Sequence, residues 1–363
     1  MGSIRALSPA RLRLPLDGVI SVTEVKVDDA GKAWDRYVLY HPLASGYHLT
    51  AWRRVVENTS GHTTIYLMAS DEHDEVRGVL PLVLLSSRLF GRFLVSMPFF
   101  NYGGVLADTL EAQEALLEAA IGLAKELDVA FIELRHQESL GLKWPSKQHK
   151  VSMRLDLPTD FETLWKGFPS KLRSQIRRAQ KEAMTVRIAS QELLDDFYQL
   201  FARNMRDLGT PVYARRFFEA IVRTFPTETR VCVVYLQTQP VAAGFLYGFR
   251  NTLEIPWASS DHRYDRLAPN MLLYGSALEF ACREGFHQFD FGRSSPASGT
   301  YRFKEQWGAR PVPLHWHYWL SDGRSMPDLS PRNSKYNMAI KVWSKLPVAL
   351  TRIIGPPIVR NIP

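Results

Sequence analysis

The apolar and polar positions of the 363-residue chain follow the same order in both halves. In the first half, a polar turn joins two short apolar runs of strand-like composition, and a helical period then leads to another such run. The predicted elements are strands at 63–69 and 77–85 around a turn at 71–75, a helix at 110–127 and a strand at 130–134.

The second half repeats this order. The predicted elements are a strand at 230–236, a turn at 237–240, strands at 241–249 and 252–258, a helix at 268–284 and a strand at 287–291. Strand, hairpin, strand, helix and strand is the order of an N-acyltransferase (GNAT) core, although order alone leaves other α+β folds open. Its repetition predicts an α+β protein of tandem GNAT-like domains that share one cleft, followed by a helical C-terminal tail.

The repeat also sets the expected domain limits. We expect a first GNAT-like domain at 20–150, a second at 151–320 and a basic amphipathic C-terminal segment at 321–363. The boundary falls within 144–157, where polar residues and a proline interrupt the periodicity. Further helices are predicted at 47–57, 192–205 and 214–224, and at 170–184 with Ser170 as the cap.

The composition favours a folded protein of a reducing compartment. With 45% hydrophobic residues, the chain is too apolar to be disordered, and its length suits two ordinary domains. Cys232 and Cys282 each lie in an apolar run, which favours buried free thiols over a disulfide. Charged residues interrupt the N-terminus, and no run approaches the roughly 20 apolar residues of a membrane span. We therefore expect a cytoplasmic protein.

The net charge of +8 indicates an anionic partner, such as RNA, a nucleotide, a phospholipid headgroup or an acidic glycan. Two segments carry most of this bias. Residues 166–187 hold seven Lys or Arg against the single acid Glu182, and residues 331–363 hold six and no acid. The tail from Lys335 has an apolar side and a basic side, so its alternatives are packing on the protein or lying on a membrane surface.

Residues 289–308 have the most distinctive pattern. An apolar strand leads into a loop of small residues, and the aromatic and basic run 301–304 follows. Small residues allow a ligand close to the backbone, and the following run supplies a charged wall, as in a binding loop at a strand end. The alternative is a surface hairpin whose aromatic side chains cover the core.

This segment resembles the C-terminal signature of FemAB-type transferases, in particular the FemAB-like proteins of exosortase/PEP-CTERM exopolysaccharide loci. Three further segments resemble the same family, at 89–104, 171–181 and 333–336. The resemblance therefore extends over most of the chain. It implies GNAT-type domains and the transfer of an acyl or aminoacyl group, but it does not identify the substrate.

The resemblance implies that Phe303 and Lys304 form the Phe-Lys pair that FemAB-type enzymes keep near the acyl-transfer site. An ammonium at Lys304 could stabilise the oxyanion that develops when an amine attacks an ester or thioester. The alternative is a salt bridge with Glu305 or Asp290. Tyr301, expected on the same face as Phe303, is a candidate proton donor or stacking wall.

Four more residues are candidate substrate contacts. The resemblance places Asn101 and Tyr102 at the cleft, where they would hydrogen-bond the acceptor; the alternative is that Gly103 and Gly104 serve only a tight turn. Arg293 and Arg302 are candidates for contact with a phosphate group.

The helix predicted from Ser170 has an apolar stripe and a basic ridge. The stripe contains Leu172, Ile176, Ala179 and Ala183, and the ridge contains Arg173, Arg177 and Lys181. Like charges at successive i,i+4 positions destabilise an isolated helix, so this ridge indicates an anion-binding role for Arg173 and Arg177. The alternative is a solvated face.

A second anion site is predicted at the start of the helix at 268–284, where Asn270 lies in the first turn. In the acyltransferase fold, free N–H groups of this turn face the pyrophosphate of an acyl carrier. The glycine-rich cradle of acetyl-CoA enzymes is absent from residues 260–266. This departure leaves aminoacyl-tRNA as the favoured donor and acyl-CoA as the alternative, with no tightly bound cofactor.

No metal site is expected. His315 and His317 share a strand face, but ordinary packing explains them without further ligands. The combined features predict a transferase of envelope biogenesis that acts at the inner face of the membrane on an amine of a cell-envelope, peptidoglycan or exopolysaccharide precursor. The alternatives are a CoA-dependent N-acetyltransferase and a non-catalytic RNA- or glycan-binding protein. The oligomeric state is not predicted.

Overall fold

The structure, a computed structural model, describes residues 19–26, 29–87, 91–327 and 334–362. The chain forms two compact units. The described residues up to 147 and residues 315–326 belong to the first, and residues 148–314 with the described residues of 327–362 belong to the second. Residues 333–336, which carry part of the family resemblance, are outside the part of the chain whose side chains the structure describes.

The first 147 residues contain seven strands and three α-helices in the described part. In chain order they are β1 (Ser21–Glu24), α1 (Asp29–Tyr40), α2 (Trp52–Ser60), β2 (Thr63–Ser70), β3 (Val76–Ser87), β4 (Gly91–Val95), β5 (Leu106–Ala107), α3 (Leu110–Glu126), β6 (Phe131–His136) and β7 (Ser146–Lys147). Thr109 begins α3 because its hydroxyl accepts the Ala112 N–H at 3.2 Å. The apolar face of α3 packs on the sheet.

The remainder of the chain is also mixed. Its elements are β8 (Val151–Asp156), α4 (Phe161–Gly167), α5 (Ser170–Lys181), β9 (Met184–Ala189), α6 (Leu194–Asp207), α7 (Arg215–Thr224), β10 (Thr229–Leu236), β11 (Gln239–Phe249), β12 (Thr252–Ser260), α8 (Pro269–Arg283), β13 (Gln288–Ser294), α9 (Gly299–Glu305), β14 (Arg310–Pro313), β15 (His315–Leu320), α10 (Ser334–Trp343) and α11 (Val348–Val359). The predicted helical tail is confirmed by α10 and α11.

The two sheets repeat one topology. The first has the order β1-β2-β3-β4-β6-β15-β7, with β5 beside β3, and the second has the order β14-β8-β13-β12-β11-β10-β9. In each, three antiparallel strands are followed by a helix and then by a parallel strand, so that β2, β3, β4, α3 and β6 correspond to β10, β11, β12, α8 and β13. The expected tandem GNAT-like fold is confirmed.

Strand β15 departs from the predicted limit of the second domain at residue 320. It pairs antiparallel with β6 in the sheet of the first unit, from His315 opposite His136 to Leu320 opposite Phe131. A local pattern shows that residues 315–320 form a strand but not which sheet edge they join. Residues 315–326 therefore belong to the first unit, and the described residues of 327–362 belong to the second unit.

The helix predicted at 170–184 is shorter than expected. Ser170 is its first residue, Pro169 precedes it, and no side chain caps it. It ends at Lys181 because Met184 begins β9, and Ala183 is exposed instead of lying on the apolar stripe. Its remaining stripe is buried as predicted, at Leu172, Ile176 and Ala179.

Both cysteines are buried and free, as predicted. Burial raises the pKa of the Cys232 thiol to about 12, so this thiol is inert at neutral pH. The longest helix of the described chain, α3, has 17 residues, and within that part no helix combines the length and apolarity needed to cross a bilayer.

Candidate active site

An open strand edge lies in the second unit between β12 and β13. The two strands pair in parallel only from Thr252 opposite Gln288 to Glu254 opposite Asp290. Beyond this point β12 continues to Ser260 and β13 to Ser294 without pairing with each other, although the other edge of β13 still pairs with β8. Gly292 still lies close to β12, because a Cβ at this position would come within 3.3 Å of the Ile255 carbonyl oxygen. The unpaired backbone groups beyond Gly292 are therefore the ones that can accept an extended group, as an added strand would.

Lys304 lies at the point where β13 becomes irregular. The register of β13 against β8 shifts between Asp290 and Arg293. The Lys304 ammonium donates to the backbone carbonyls of Gly292 and Arg293, at 3.0 and 3.1 Å, and the side chain is only 8% exposed. A lysine has three N–H bonds, so two carbonyls leave one donor for a substrate. These partners replace the alternative of a salt bridge with Glu305 or Asp290.

Two buried carboxylates lie beside this lysine. Glu254 and Asp290 face each other in the last paired position of β12 and β13. Asp290 accepts hydrogen bonds from Ser152 Oγ at 2.6 Å and from the Gly292 N–H at 2.7 Å. Burial lowers the pKa of Lys304 to about 8, against the opposing effect of the two carboxylates. At neutral pH the lysine is therefore mostly an ammonium.

The aromatic and basic run 301–304 lies on helix α9. Ser298 begins α9, because its hydroxyl accepts the Tyr301 N–H at 3.2 Å. Residues two apart on a helix point about 200° apart, so Tyr301 and Phe303 do not share a face as expected. Phe303 contacts Tyr274 edge to face, with ring centroids 5.1 Å apart. Arg302, also on α9, is exposed.

The start of α8 faces the same end of β12. Asn270 lies in its first turn and donates through Nδ2 to Ser260 Oγ at 3.0 Å. Ala268 precedes the helix with a left-handed φ of 55°, and no side chain caps the first turn. Pro269 has no N–H, and the Met271 N–H is donated to the Ala268 carbonyl at 2.9 Å, so only part of this first turn can face an anion.

The basic helix α5 reaches the loop before α8. Arg173 is half-buried and Arg177 is exposed, with its guanidinium 5.5 Å from the ring centroid of Trp165. Arg178, which sequence reasoning did not single out, donates to the carbonyl of Arg266 at 3.3 Å. The basic cluster at 166–187 was the signal that could have identified it.

Asp261 organises this loop and was also missed. It is buried and forms ion pairs with Arg203 and, at 2.6 Å, with Arg263. Hydrogen bonding by Arg263 holds the pKa of Asp261 down at about 2, so it remains a carboxylate. The loop begins with the 3-10 turn His262–Leu267, in which Arg263 and Arg266 are exposed. The loop before α8 therefore presents exposed arginines in place of the glycine-rich sequence of acetyl-CoA enzymes.

In the first unit, the corresponding strand edge is occupied by the chain itself. Strands β4 and β6 also pair in parallel over a short stretch, ending with Val95 opposite Glu133. Farther along β6, the carbonyl of Arg135 accepts the N–H groups of Gly103 and Gly104 at 3.1 and 2.9 Å. The segment at 100–105 therefore fills the gap that stays open in the second unit.

This segment carries the predicted acceptor contacts. Tyr102 is buried and lines a small pocket together with His48, Arg135 and His136. Asn101 is half-buried and is not among the lining residues. Gly104 is required beside the pocket, because a Cβ at this position would come within 2.1 Å of the His136 ring. The two glycines thus serve close packing, and Tyr102 is left as the pocket contact.

Of the two histidines on β15, His317 forms a buried contact with a histidine of β6. His317 on β15 lies with its Nδ1 3.2 Å from the Nδ1 of His136. His136 Nε2 accepts the Val105 N–H at 2.9 Å, which makes its Nδ1 the protonated nitrogen and the donor to His317. Within residues 19–26, 29–87, 91–327 and 334–362, no group of three or more His, Cys, Asp or Glu could hold a metal ion.

We expect the free energy of unfolding to decrease as the pH is lowered below about 6.5. Burial, with the nearby histidines, holds the pKa of His136 well below its usual range, and burial also lowers that of His317. On acidification, these histidines therefore bind protons in the unfolded chain at a higher pH than in the folded protein. The free energy of unfolding that is present above pH 6.5 then decreases by up to ~1.4 kcal/mol per pH unit for each histidine. Denaturant unfolding at several pH values measures this slope.

The control is a pair of variants. His136→Gln keeps an acceptor for the Val105 N–H and should flatten the slope, whereas His73→Gln changes an exposed histidine and should keep it. Equal slopes in His136→Gln and the parent protein would exclude this histidine as the cause.

Comparison with known proteins agrees with this geometry. Residues 168–305 match the family model described as an acetyltransferase (GNAT) domain, a range that includes the basic helix, the open edge and Lys304. No curated protein is significantly similar to the chain in sequence.

Several solved structures share the fold. FemX is 14% identical, with a TM-score of 0.62 over 81% of this chain and 96% of its own. The C-terminal domain (DUF2156) of a putative lysylphosphatidylglycerol synthetase from Agrobacterium fabrum is 11% identical, with a TM-score of 0.54 over 80% and 91%. A tandem GNAT protein from the clavulanic acid biosynthesis pathway is 12% identical, with a TM-score of 0.52 over 85% and 100%. The chain therefore has a tandem GNAT-like fold similar to that of these structures, and its residues 168–305 match an acetyltransferase (GNAT) domain.

Proposed function

We propose that this protein transfers an aminoacyl or acyl group from an activated donor to an amine of a cell-envelope or exopolysaccharide precursor. The observation that carries the proposal is the buried Lys304 ammonium, at the irregular part of β13 beside the open edge. A GNAT domain needs a place for an extended acyl carrier and a group that stabilises the transition state. The unpaired edge of β12 and β13 and the buried Lys304, both within residues 168–305, support these two roles.

The reaction requires no covalent enzyme intermediate. The acceptor amine attacks the donor carbonyl, the carbonyl oxygen becomes an oxyanion, and the carrier leaves as its hydroxyl or thiol. In this proposal the third N–H of Lys304 donates to that oxygen. A fixed hydrogen-bond donor accelerates the reaction most when it stabilises the charge that develops in the transition state. The open edges of β12 and β13 hold the donor arm in line, so proximity supplies a further part of the acceleration.

Aminoacyl-tRNA is the favoured donor. The loop before α8 lacks a glycine cradle and instead exposes Arg263 and Arg266, while Arg178 reaches the same loop from α5. Side-chain cations suit the phosphates of a nucleic acid, whose binding is mainly electrostatic. Acyl-CoA is the second candidate, supported by the GNAT family match and by the uncapped first turn of α8 with Asn270.

The acceptor is assigned by resemblance to FemAB-type transferases. On this basis Tyr102 and Asn101 contact the acceptor, and the pocket beside Tyr102 offers hydrogen-bonding groups to it. Tyr301 remains a proposed proton donor or stacking wall, and Arg293 and Arg302 remain proposed contacts of a phosphate group. We also propose that the protein works in the cytoplasm at the inner face of the membrane, where envelope precursors are assembled. A non-catalytic RNA- or glycan-binding protein is the rival hypothesis, and retained function without Lys304 would favour it.

We expect Arg173→Glu with Arg177→Glu to weaken aminoacyl-tRNA binding strongly. Two lost phosphate contacts should reduce the slope of log affinity against log salt by about 2. The fold should tolerate both changes, because neither side chain belongs to the buried stripe of α5. Binding is measured by fluorescence anisotropy with aminoacyl-tRNA and with acyl-CoA at several salt concentrations, alongside single-turnover transfer from each donor.

The matched control is Arg36→Glu with Arg54→Glu, which changes the net charge equally at exposed positions of the first unit. The control should bind like the parent protein. Transfer from acyl-CoA but not from aminoacyl-tRNA would contradict the hypothesis that aminoacyl-tRNA is the donor. Transfer from neither donor, together with tight RNA binding, would support the hypothesis of a non-catalytic binding protein.

A further inference from the structure

The exposed apolar side chains of this protein are concentrated in its C-terminal helices. In the described chain ten large hydrophobic residues are exposed, and five of them lie within residues 338–358. These five are Met338, Val342, Leu350, Ile353 and Ile358. Scattered single exposures are normal on a protein surface, whereas a local concentration marks an interaction site.

Helix α11 is apolar on two opposite faces. One face contains Thr351, Gly355 and Val359, which are buried, and Gly355 is essential there because a Cβ would come within 2.9 Å of the Val212 backbone nitrogen. Leu350 and Ile353 lie on the opposite face and are 41% and 72% exposed. Packing against the protein therefore explains the apolar face of α11 that contains Gly355, but not the face that contains Leu350 and Ile353.

Helix α10 shows the same division. Ile340 packs against Gly209, where a Cβ would come within 2.4 Å of the isoleucine side chain. Met338 and Val342, one turn apart, point away from this contact and are 73% and 53% exposed. The alternative that this tail only packs on the protein is therefore incomplete, because both helices are anchored and still present apolar side chains to solvent.

The positive charge around this surface indicates the kind of partner that it binds. Residues 331–363 contain six Lys or Arg and no Asp or Glu. Lys341, Lys345 and Arg360 are exposed beside the apolar side chains. A surface of a second, mostly neutral protein would not require a segment free of acids, whereas an anionic bilayer attracts cations and accepts apolar side chains at its headgroup boundary.

We propose that the exposed faces of α10 and α11 form a docking surface for an anionic lipid bilayer. Leu350, Ile353, Met338 and Val342 enter the headgroup boundary, and Lys341 and Lys345 contact lipid phosphates. The buried faces keep the helices attached to the second unit, so docking needs no unfolding of the tail. The proposal rests on these surfaces and not on acyl transfer, so it can fail or succeed independently of the proposed donor.

The test is cosedimentation of the full-length protein with vesicles of phosphatidylcholine alone or mixed equally with phosphatidylglycerol. We expect binding to the mixed vesicles that decreases with salt, and little binding to phosphatidylcholine. Lys341→Glu with Lys345→Glu should lower the partition coefficient by roughly fivefold or more per lysine. Leu350→Asp with Ile353→Asp should abolish most binding, and its melting temperature should not change because both side chains are exposed.

The control is Leu39→Asp with Tyr40→Asp, an exposed apolar pair on α1 that should bind vesicles like the parent protein. Three outcomes would overturn the proposal. They are no binding to mixed vesicles by the parent protein, equal loss in the α1 control, and concentration-dependent self-association that Leu350→Asp with Ile353→Asp removes. The last outcome would assign the surface to a second copy of this chain.

Discussion

Replacing Lys304 with alanine should lower the single-turnover transfer rate by roughly 10²–10³-fold, or about 2.7–4 kcal/mol. The ammonium lies where β12 and β13 separate, and two of its three N–H bonds are donated to the carbonyls of Gly292 and Arg293. The remaining N–H is the proposed donor to the developing oxyanion. The rate is measured with saturating enzyme over labelled donor, so that weaker binding does not mask the chemical step.

The structure also changes what is expected of stability. From the sequence alone, the lysine is expected to contribute little to folding. Because its Nζ satisfies two carbonyls in a buried position, alanine should also cost about 1–3 kcal/mol. Lys304→Met keeps most of the buried apolar stem and Lys304→Arg keeps a cation. Ile221→Val, a mild change at a buried position of the same unit, supplies a destabilised control that should transfer at the parent rate.

The pH profile identifies the form of Lys304 that acts. Its pKa is lowered to about 8, so the ammonium is lost as pH rises through 8. A rate that falls above about pH 8 supports the oxyanion role, and this fall should disappear in Lys304→Arg because arginine keeps its charge. A rate that rises through pH 8 would instead indicate a neutral amine acting as a general base. A parent-like rate in Lys304→Met would remove the lysine from the mechanism.

Trp307→Ala should lower the free energy of unfolding by about 3–5 kcal/mol. Trp307 follows α9 and is 1% exposed, and its ring meets Phe168 edge to face at 5.6 Å between centroids. It also lies 6.3 Å from Phe303, the neighbour of Lys304. Its loss should therefore leave a large cavity in the second unit and loosen α9. Denaturant unfolding followed by circular dichroism measures the change.

Two substitutions test this explanation. Trp307→Phe should cost much less than alanine, because the indole nitrogen has no hydrogen-bond partner among the described residues and most of the ring volume is kept. Trp144→Ala, at a half-buried position of the first unit, should also cost less. A loss in Trp307→Ala no larger than that of Trp144→Ala would contradict the packing role of Trp307.

Part of the candidate site was recognisable from local sequence. Lys304 and Phe303 were identified from the resemblance of their segment to FemAB-type transferases, and the basic ridge with Arg173 and Arg177 was identified from helical spacing. Glu254 was not recognised, because it looks like an ordinary polar position in an alternating strand until β12 pairs with β13, and Asp290 was considered only as a salt-bridge partner of Lys304. Asp261 was missed for the same reason, since its importance comes from Arg203, which is 58 residues away.

The sequence by itself determined the type and order of most elements, because helix and strand periodicity depend on neighbouring residues. It therefore predicted the repeated topology, the buried stripe of α5 and the helical tail. Contacts between distant residues decided the rest. They placed β15 in the first sheet, buried Lys304 at the irregular part of β13, and closed one strand edge with residues 100–105 while leaving the other open. Pairing of strand edges and burial of charge are properties of the folded chain, so no local pattern contains them.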